Sequence, residues 1–182
     1  AGRMGPTLTR ALRDGRLILF AGCWLRGAMT PGSETPRLLR KLMFVSPDQG
    51  LTWSPPLKLM SPEHGVCEES DFCELPNGDL FWVHRCELFP DHPTDLPPGA
   101  ARMGLEPPVS YWYSDRKQSL VRKQGDTFAP EKPTLAPFPH SGYPLVIRTQ
   151  EGVILHLATD GVYGTLDVGR TWQRLDVPGT SY

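Results

Sequence analysis

Ser46-Pro47-Asp48-Gln49-Gly50-Leu51-Thr52-Trp53 and Thr165-Leu166-Asp167-Val168-Gly169-Arg170-Thr171-Trp172 are two copies of one pattern, Ser/Thr-x-Asp-x-Gly-x-Thr-Trp. Each fixed position has a job in a tight turn. An Asp carboxylate can accept backbone N–H bonds that a short loop otherwise leaves unpaired. Gly supplies a left-handed backbone without a Cβ clash. The hydroxyls fasten the two ends, and Trp offers a large apolar face with one N–H donor. The pattern therefore predicts a structural staple between two strands, and neither Asp48 nor Asp167 is assigned a catalytic role.

Outward from these turns the chain repeats itself, a signal to be sought before single elements are assigned. Each unit reads strand, Gly-containing hairpin, strand, loop, strand, turn. Thr7 to Leu12 leads through Arg13-Asp14-Gly15-Arg16 into Leu17-Ile18-Leu19-Phe20; Ser70 to Leu75 leads through Pro76-Asn77-Gly78-Asp79 into Leu80-Phe81-Trp82-Val83; Pro144 to Arg148 leads through Gln150-Glu151-Gly152 into Val153 to Leu157. Asp-Gly and Asn-Gly between apolar runs are strong hairpin signals, because the turn needs positive φ. Lys41 to Val45 and Gly161 to Gly164 then enter the two quoted turns. In the middle unit Tyr111-Trp112-Tyr113-Ser114-Asp115 followed by Gly125-Asp126-Thr127-Phe128 reads as the same turn, stretched. Asp48 and Asp167 stand 119 residues apart, so two repeats average about 60 residues. That length suits a four-stranded propeller blade, and no helical periodicity competes with it.

Two full matches and a decayed third, each at the same place in a repeat, resemble the Asp-box (BNR-repeat) proteins, of which sialidases are the best-known group. The resemblance covers essentially the whole chain. It implies an all-β fold, a β-propeller of the six-bladed sialidase type with about three four-stranded antiparallel blades present, in units of about 1–60, 61–135 and 136–182. Three units cannot close a propeller, so the chain is expected to be a fragment whose partners include the remaining blades of a parent chain, and alone it should expose blade edges and associate.

A meander alternates direction, which puts the hairpins and the Asp-box turns on one rim. The other rim, which surrounds the active site in sialidases, then comprises residues near 1–6, 23–37, 61–70, 85–110, 136–144 and 157–160. Its longest loop, Arg85 through Pro108, carries Glu87, Asp91, His92, Asp95 and Arg102; long loops on rigid scaffolds are where binding groups concentrate. Sialidases grip a substrate carboxylate with three arginines, use a Tyr activated by a Glu as nucleophile, and use an Asp as acid/base. Planar guanidinium groups suit a carboxylate, and a neutral nucleophile avoids repelling an anionic sugar.

By this resemblance Arg3, in Arg3-Met4-Gly5-Pro6, stands near the family's opening Arg-Ile-Pro, one residue longer. Arg26 follows the second strand of the first unit, and Glu34 lies in the loop that carries the family's acid Asp; surface charge is the competing reading for both. Glu69 and Arg85 occupy places where related sequences carry Glu and Arg, and either pair with each other or face a sugar. His140 and Tyr143 precede the third unit's first strand, with packing as the alternative for the aromatic. The nucleophilic Tyr and the other two arginines belong to later blades. The expected activity of the full-length parent is removal of terminal sialic acid or a related sugar; the alternative is a non-catalytic propeller binding glycan or protein. A sialoglycan or related carbohydrate is the expected partner, no cofactor is implied, and the family suggests a secreted or cell-surface setting.

Bulk properties fit this reading. Of 182 residues, 39% are hydrophobic and 21% charged, and 20 prolines and 18 glycines suit many strands joined by turns. A net charge of -1 gives no overall field toward nucleic acid or an anionic membrane. No apolar run nears the ~20 residues that span a bilayer. The start, Ala1-Gly2-Arg3, reads as cut or processed. Cys23, Cys67, Cys73 and Cys86 show no zinc-ligand spacing, so no metal is expected. Cys73 and Cys86 read as buried thiols, with a bridge from Cys67 to either as the alternative.

Overall fold

The computed structural model describes residues 3–24, 39–59, 66–88, 113–137, 143–158 and 161–177, and every helix or strand among them is a strand. The first sheet holds β1 (Arg3–Ala11), β2 (Leu17–Trp24), β3 (Leu39–Ser46) and β4 (Leu57–Lys58). The second holds β5 (Val66–Glu74), β6 (Leu80–Leu88), β7 (Tyr113–Gln124) and β8 (Thr127–Pro130), with β9 (Thr134–Leu135) pairing β7. The third holds β10 (Leu145–Arg148), β11 (Ile154–Ala158), β12 (Gly161–Thr165) and β13 (Gln173–Leu175). All pairings are antiparallel, and in each sheet the strands lie side by side in chain order. Three such meanders are consistent with propeller blades.

Period-2 alternation decides how the sheets stack, because successive side chains leave a strand on opposite faces. On the first sheet Ile18, Phe20 and Met43 face forward and meet Phe72, Leu80, Trp82, Val121 and Phe128 of the second. Phe20 lies 4.8 Å from Phe72 and 5.8 Å from Trp82, ring centre to ring centre. The other face of the second sheet sends Cys73, Phe81 and Val83 onto Val146 and Ile154 of the third. The middle sheet is thus covered on both faces, which is why β6 reads as the continuous apolar run Leu80-Phe81-Trp82-Val83. Truncating Phe20 or Trp82 to Ala would cost about 3–5 kcal/mol.

The two Asp-centred turns match bond for bond. Ser46 Oγ donates to Asp48 Oδ1 at 2.9 Å and accepts Gly50 N–H at 2.7 Å, while Thr52 donates its N–H at 2.8 Å and its hydroxyl at 2.6 Å to the same carboxylate. Thr165 Oγ1 donates to Asp167 at 2.7 Å and accepts Gly169 N–H at 3.0 Å, and Thr171 donates to Asp167 at 2.8 and 2.6 Å. The left-handed backbone takes in two residues of each turn, Gln49 (φ 59°) with Gly50 (φ 95°) and Val168 (φ 59°) with Gly169 (φ 81°). A β-branched residue is seldom found there, so the carboxylate and hydroxyl bonds hold Val168 against its preference. The tryptophans differ: Trp53 Nε1 donates to Gly50 O within its own turn, whereas Trp172 Nε1 reaches Gln118 Oε1 of the second sheet at 2.9 Å.

The second sheet corrects the expectation of a stretched turn. Gln124 pairs with Thr127, so Gly125-Asp126 closes a two-residue hairpin, with Gly125 at φ 61°. Tyr113-Ser114 opens β7 at the opposite end of the sheet. Without the Asp and hydroxyl bonds, the short hairpin leaves the length to the strand.

Candidate functional site

Strand alternation sends all three β-hairpins and all three third-to-fourth-strand turns to one rim, and side chains lock that rim across the sheets. Arg16 Nη1 donates to Asp126 O at 3.1 Å, Lys123 pairs with Asp14 at 3.0 Å, and Arg13 N–H donates to Glu74 at 2.8 Å, with its guanidinium on Leu75 O. Gln118 Nε2 donates to Gly169 O at 2.6 Å. Such rigid cross-links suit a supporting rim. An open groove of about 1130 Å³ between the second and third sheets runs to this side, where Asn77, Glu151, Asp167 and Arg170 line it. Its walls come from the second and third sheets' hairpins, from β7 and the chain after it, and from the third sheet's Asp-centred turn.

At the other rim the second sheet breaks register. Cys67 pairs with Cys86 and Ser70 with His84, so Glu68 and Glu69 together oppose Arg85 alone. This is a β-bulge, a device that re-aims side chains and is frequent beside active sites. Here the bulge sets Glu69 Oε2 at 2.9 Å from Arg85 Nη1, with the two side chains 15% and 18% exposed. The first sheet shifts register at a similar depth, between Pro6 and Leu8. Both first strands therefore change pitch as they rise toward the loop rim.

One step further in, Asp71 forms a three-sheet junction. Arg10 Nη2 of the first sheet lies 2.7 and 2.8 Å from its two oxygens, and Val146 N–H of the third donates to Oδ2 at 2.8 Å. Phe72 N–H adds a bond at 2.9 Å to Oδ1. Burial pushes the Asp71 carboxyl above the usual range, although the Val146 N–H and the Arg10 charge pull it down. Cys73, two residues on, is a free buried thiol, raised to about 12 mainly by burial and further by the Asp71 charge. Cys73 therefore takes no part in a bridge with Cys67, and at neutral pH it is an inert core group.

Of the sequence candidates, Glu69 and Arg85 are brought together. Arg3 lies in β1 opposite Trp24. Tyr143 stands just before β10 and is 69% exposed, with no packing role of the kind an aromatic at a strand start usually has. Arg26, Glu34 and His140 lie outside the described residues. Among the described residues no group of His, Cys, Asp and Glu is placed to hold a metal, and no helix is long and apolar enough to cross a membrane. Asp71 and the bulge escaped the sequence reading. The available signal was an acid within the strand Ser70 to Leu75, next to Phe72-Cys73, where an unpaired charge is too costly to bury.

No family model and no curated protein matches the chain. Among solved structures, the chain is similar to the GH93 α-L-arabinofuranosidase of Fusarium graminearum in complex with arabinobiose, a β-propeller glycoside hydrolase, with TM-score 0.63 and 14% identity over 99% of this chain and 47% of that one. The likeness is one of fold. A protein of unknown function from Dyadobacter fermentans is also similar, with TM-score 0.57 and 15% identity over 91% of this chain and 49% of that one. The chain spans about half the length of each.

Proposed function

We propose that this chain supplies part of the sugar-binding rim of a sialidase-like, Asp-box β-propeller of the six-bladed type, and that the whole protein is a glycoside hydrolase acting on a terminal sialic acid or a related sugar. The observation that carries this reading is the mostly buried Glu69–Arg85 pair on the loop rim, set by a bulge at the end of a strand pair. A guanidinium steadied by a carboxylate is a planar, preorganised donor for a sugar carboxylate or a pair of hydroxyls. Glu69 in turn is a carboxylate on that rim, and hydrolysis of a glycosidic bond uses two acidic groups or one acid with an activated Tyr. Glu34 is the candidate for the separate acid, Arg3 and Arg26 for further anion contacts, and His140 and Tyr143 for the wall. The likeness to a propeller in complex with arabinobiose supports a sugar ligand.

A catalytically silent glycan binder is the second reading, favoured by the mutual engagement of Glu69 and Arg85, which neutralises the charge a catalyst would use. Fluorogenic sialosides and arabinofuranosides assayed with the full-length protein, beside glycan binding, separate the two. Hydrolysis lost in both Glu69→Gln and Arg85→Ala, with the melting temperature kept, supports the enzyme; binding without turnover supports the second reading. Loss of neither in these variants would overturn the assignment of the site.

A further inference from the structure

The register of the second sheet singles out two of the four cysteines. Cys67 on β5 and Cys86 on β6 are Cα partners, directly opposite one another on adjacent antiparallel strands. Cys23 lies in the first sheet opposite Met4 and Arg40. Cys73 stands opposite Phe81, with its thiol in the core between the second and third sheets. Opposed residues of an antiparallel pair share a face of the sheet, with Cα atoms about 4.5 or 5.5 Å apart according to the hydrogen-bonding class of the rung. Both spacings fall inside the ~4.4–6.8 Å that a disulfide spans.

The place of this rung gives a cross-link something to do. β5 ends the second sheet and pairs within it with β6 alone. On the inner side of the rung lies the bulge, after which pairing resumes at Ser70 and His84; on the outer side a single rung follows, Val66 with Glu87. A bulge leaves residues out of the ladder, so two rungs attach the end of β5 to β6 at the point where the Glu69–Arg85 pair is set. Cys86 is the chain neighbour of Arg85, and Cys67 is two residues from Glu69.

We propose that Cys67 and Cys86 form a disulfide that clamps the β5–β6 end outside the bulge and so holds the register shift that brings Glu69 to Arg85. The thiolate of one cysteine attacks a small-molecule disulfide of the glutathione type, and the thiolate of the other then attacks the mixed disulfide. Two reduced small-molecule thiols leave with the two electrons and two protons of the cysteine pair. Cys73 stays outside the exchange because its thiol is buried. The clamp is independent of what the rim binds, since its readouts are thiol state and strand order.

Thiol mapping of the full-length protein, folded in a mixture of reduced and oxidised glutathione, tests it. Free thiols are blocked in denaturant and the chain is cut after glutamate, which parts Cys67 from Cys73 at Glu68 and Glu69. The expected product joins residues 64–68 to residues 75–87, with Cys73 recovered blocked. Dithiothreitol should speed amide hydrogen exchange in 66–69 and 85–88 at least ~10-fold and leave Leu80 to Val83 unchanged. Cys67→Ala, Cys86→Ala and the double variant should share one melting temperature, about 5–10 °C below the oxidised wild type, and dithiothreitol should erase the gap. If these variants fail to fold, mapping and exchange of the unaltered protein decide. Recovery of Cys67 and Cys86 as blocked thiols overturns the proposal, as does either one joined to Cys23, to Cys73 or to a cysteine elsewhere in the polypeptide. A disulfide whose reduction changes neither exchange nor melting overturns the clamp.

Discussion

The Asp71 carboxylate in the first strand of the second sheet lies within 2.8 Å of the Arg10 guanidinium from the first sheet, and both groups sit where the opening strands of all three sheets converge. The pair ties the sheets at mid-depth, in addition to their apolar stacking and the polar cross-links of the turn rim.

Removing Asp71 should therefore loosen the whole stack. Asp71→Ala deprives the Arg10 guanidinium and the Val146 N–H of a buried acceptor and is expected to cost about 2–4 kcal/mol in urea unfolding. Arg10→Ala should cost less, since Arg10 is 35% exposed at its side chain and water replaces part of the bond. A double-mutant cycle should return a coupling on the order of 1 kcal/mol; strict additivity would show that the contact contributes nothing.

Acid stability has a component from His156. Burial, with the nearby Arg116 charge, lowers its pKa from 6.5 to about 3, and its Nδ1 lies 3.1 Å from Leu145 O. The unfolded imidazole binds a proton below about pH 6.5 while the folded one stays neutral, so this contribution is present above that pH and is lost as the pH falls toward 3. Between pH 7 and pH 5 the loss should be about 2 kcal/mol. His156→Gln should flatten the profile over that range in urea titrations.

The turn carboxylates act lower on the pH scale. Hydrogen bonds from Thr171, hydroxyl first and N–H second, lower Asp167 to about 2, and Thr52 lowers Asp48 in the same way. A depressed carboxyl stabilises the fold above its ordinary pKa of 3.8, and that gain is lost between there and about 2. Asp167→Asn should lower the melting temperature by a few degrees at pH 7, and the difference from wild type should shrink as the pH is taken below 3. Asp71, raised by burial, has the opposite sign: its contribution falls as the pH rises through its folded value.

Glycine substitutions separate backbone strain from crowding. Gly15 has φ 86° and open space where a Cβ would go, so Gly15→Ala should cost about 1 kcal/mol from strain alone. Gly169 has φ 81°, and its Cβ would stand 2.9 Å from both the Gln118 amide and the Phe81 ring. Gly169→Ala should cost about 2–4 kcal/mol, because strain and displacement of those partners add. Equal losses in thermal melts would mean that the sheet-to-sheet contact at Gly169 is slack.

What the sequence determined by itself is what lies within a few residues of its own partners. Every carboxylate and hydroxyl bond in the two Asp-centred turns spans four residues or fewer, and the hairpin glycines and alternating apolar runs are equally local, so the staples, the strands and the three-fold repeat could be read directly. The second sheet's fourth-strand turn was misread because Gly-Asp-Thr-aromatic also fits a two-residue hairpin, and only pairing to β8 chooses between them. Glu69 and Arg85 were legible as a pair of chemical types through a resemblance, but the bulge that brings them to 2.9 Å was not, because a register shift is a property of two strands. Asp71 marks the limit most clearly: its Arg10 and Val146 partners are 61 and 75 residues away. Only the stacking of three sheets decided that this acid would be buried and paired, since the free energy that holds it there comes from groups no local pattern contains.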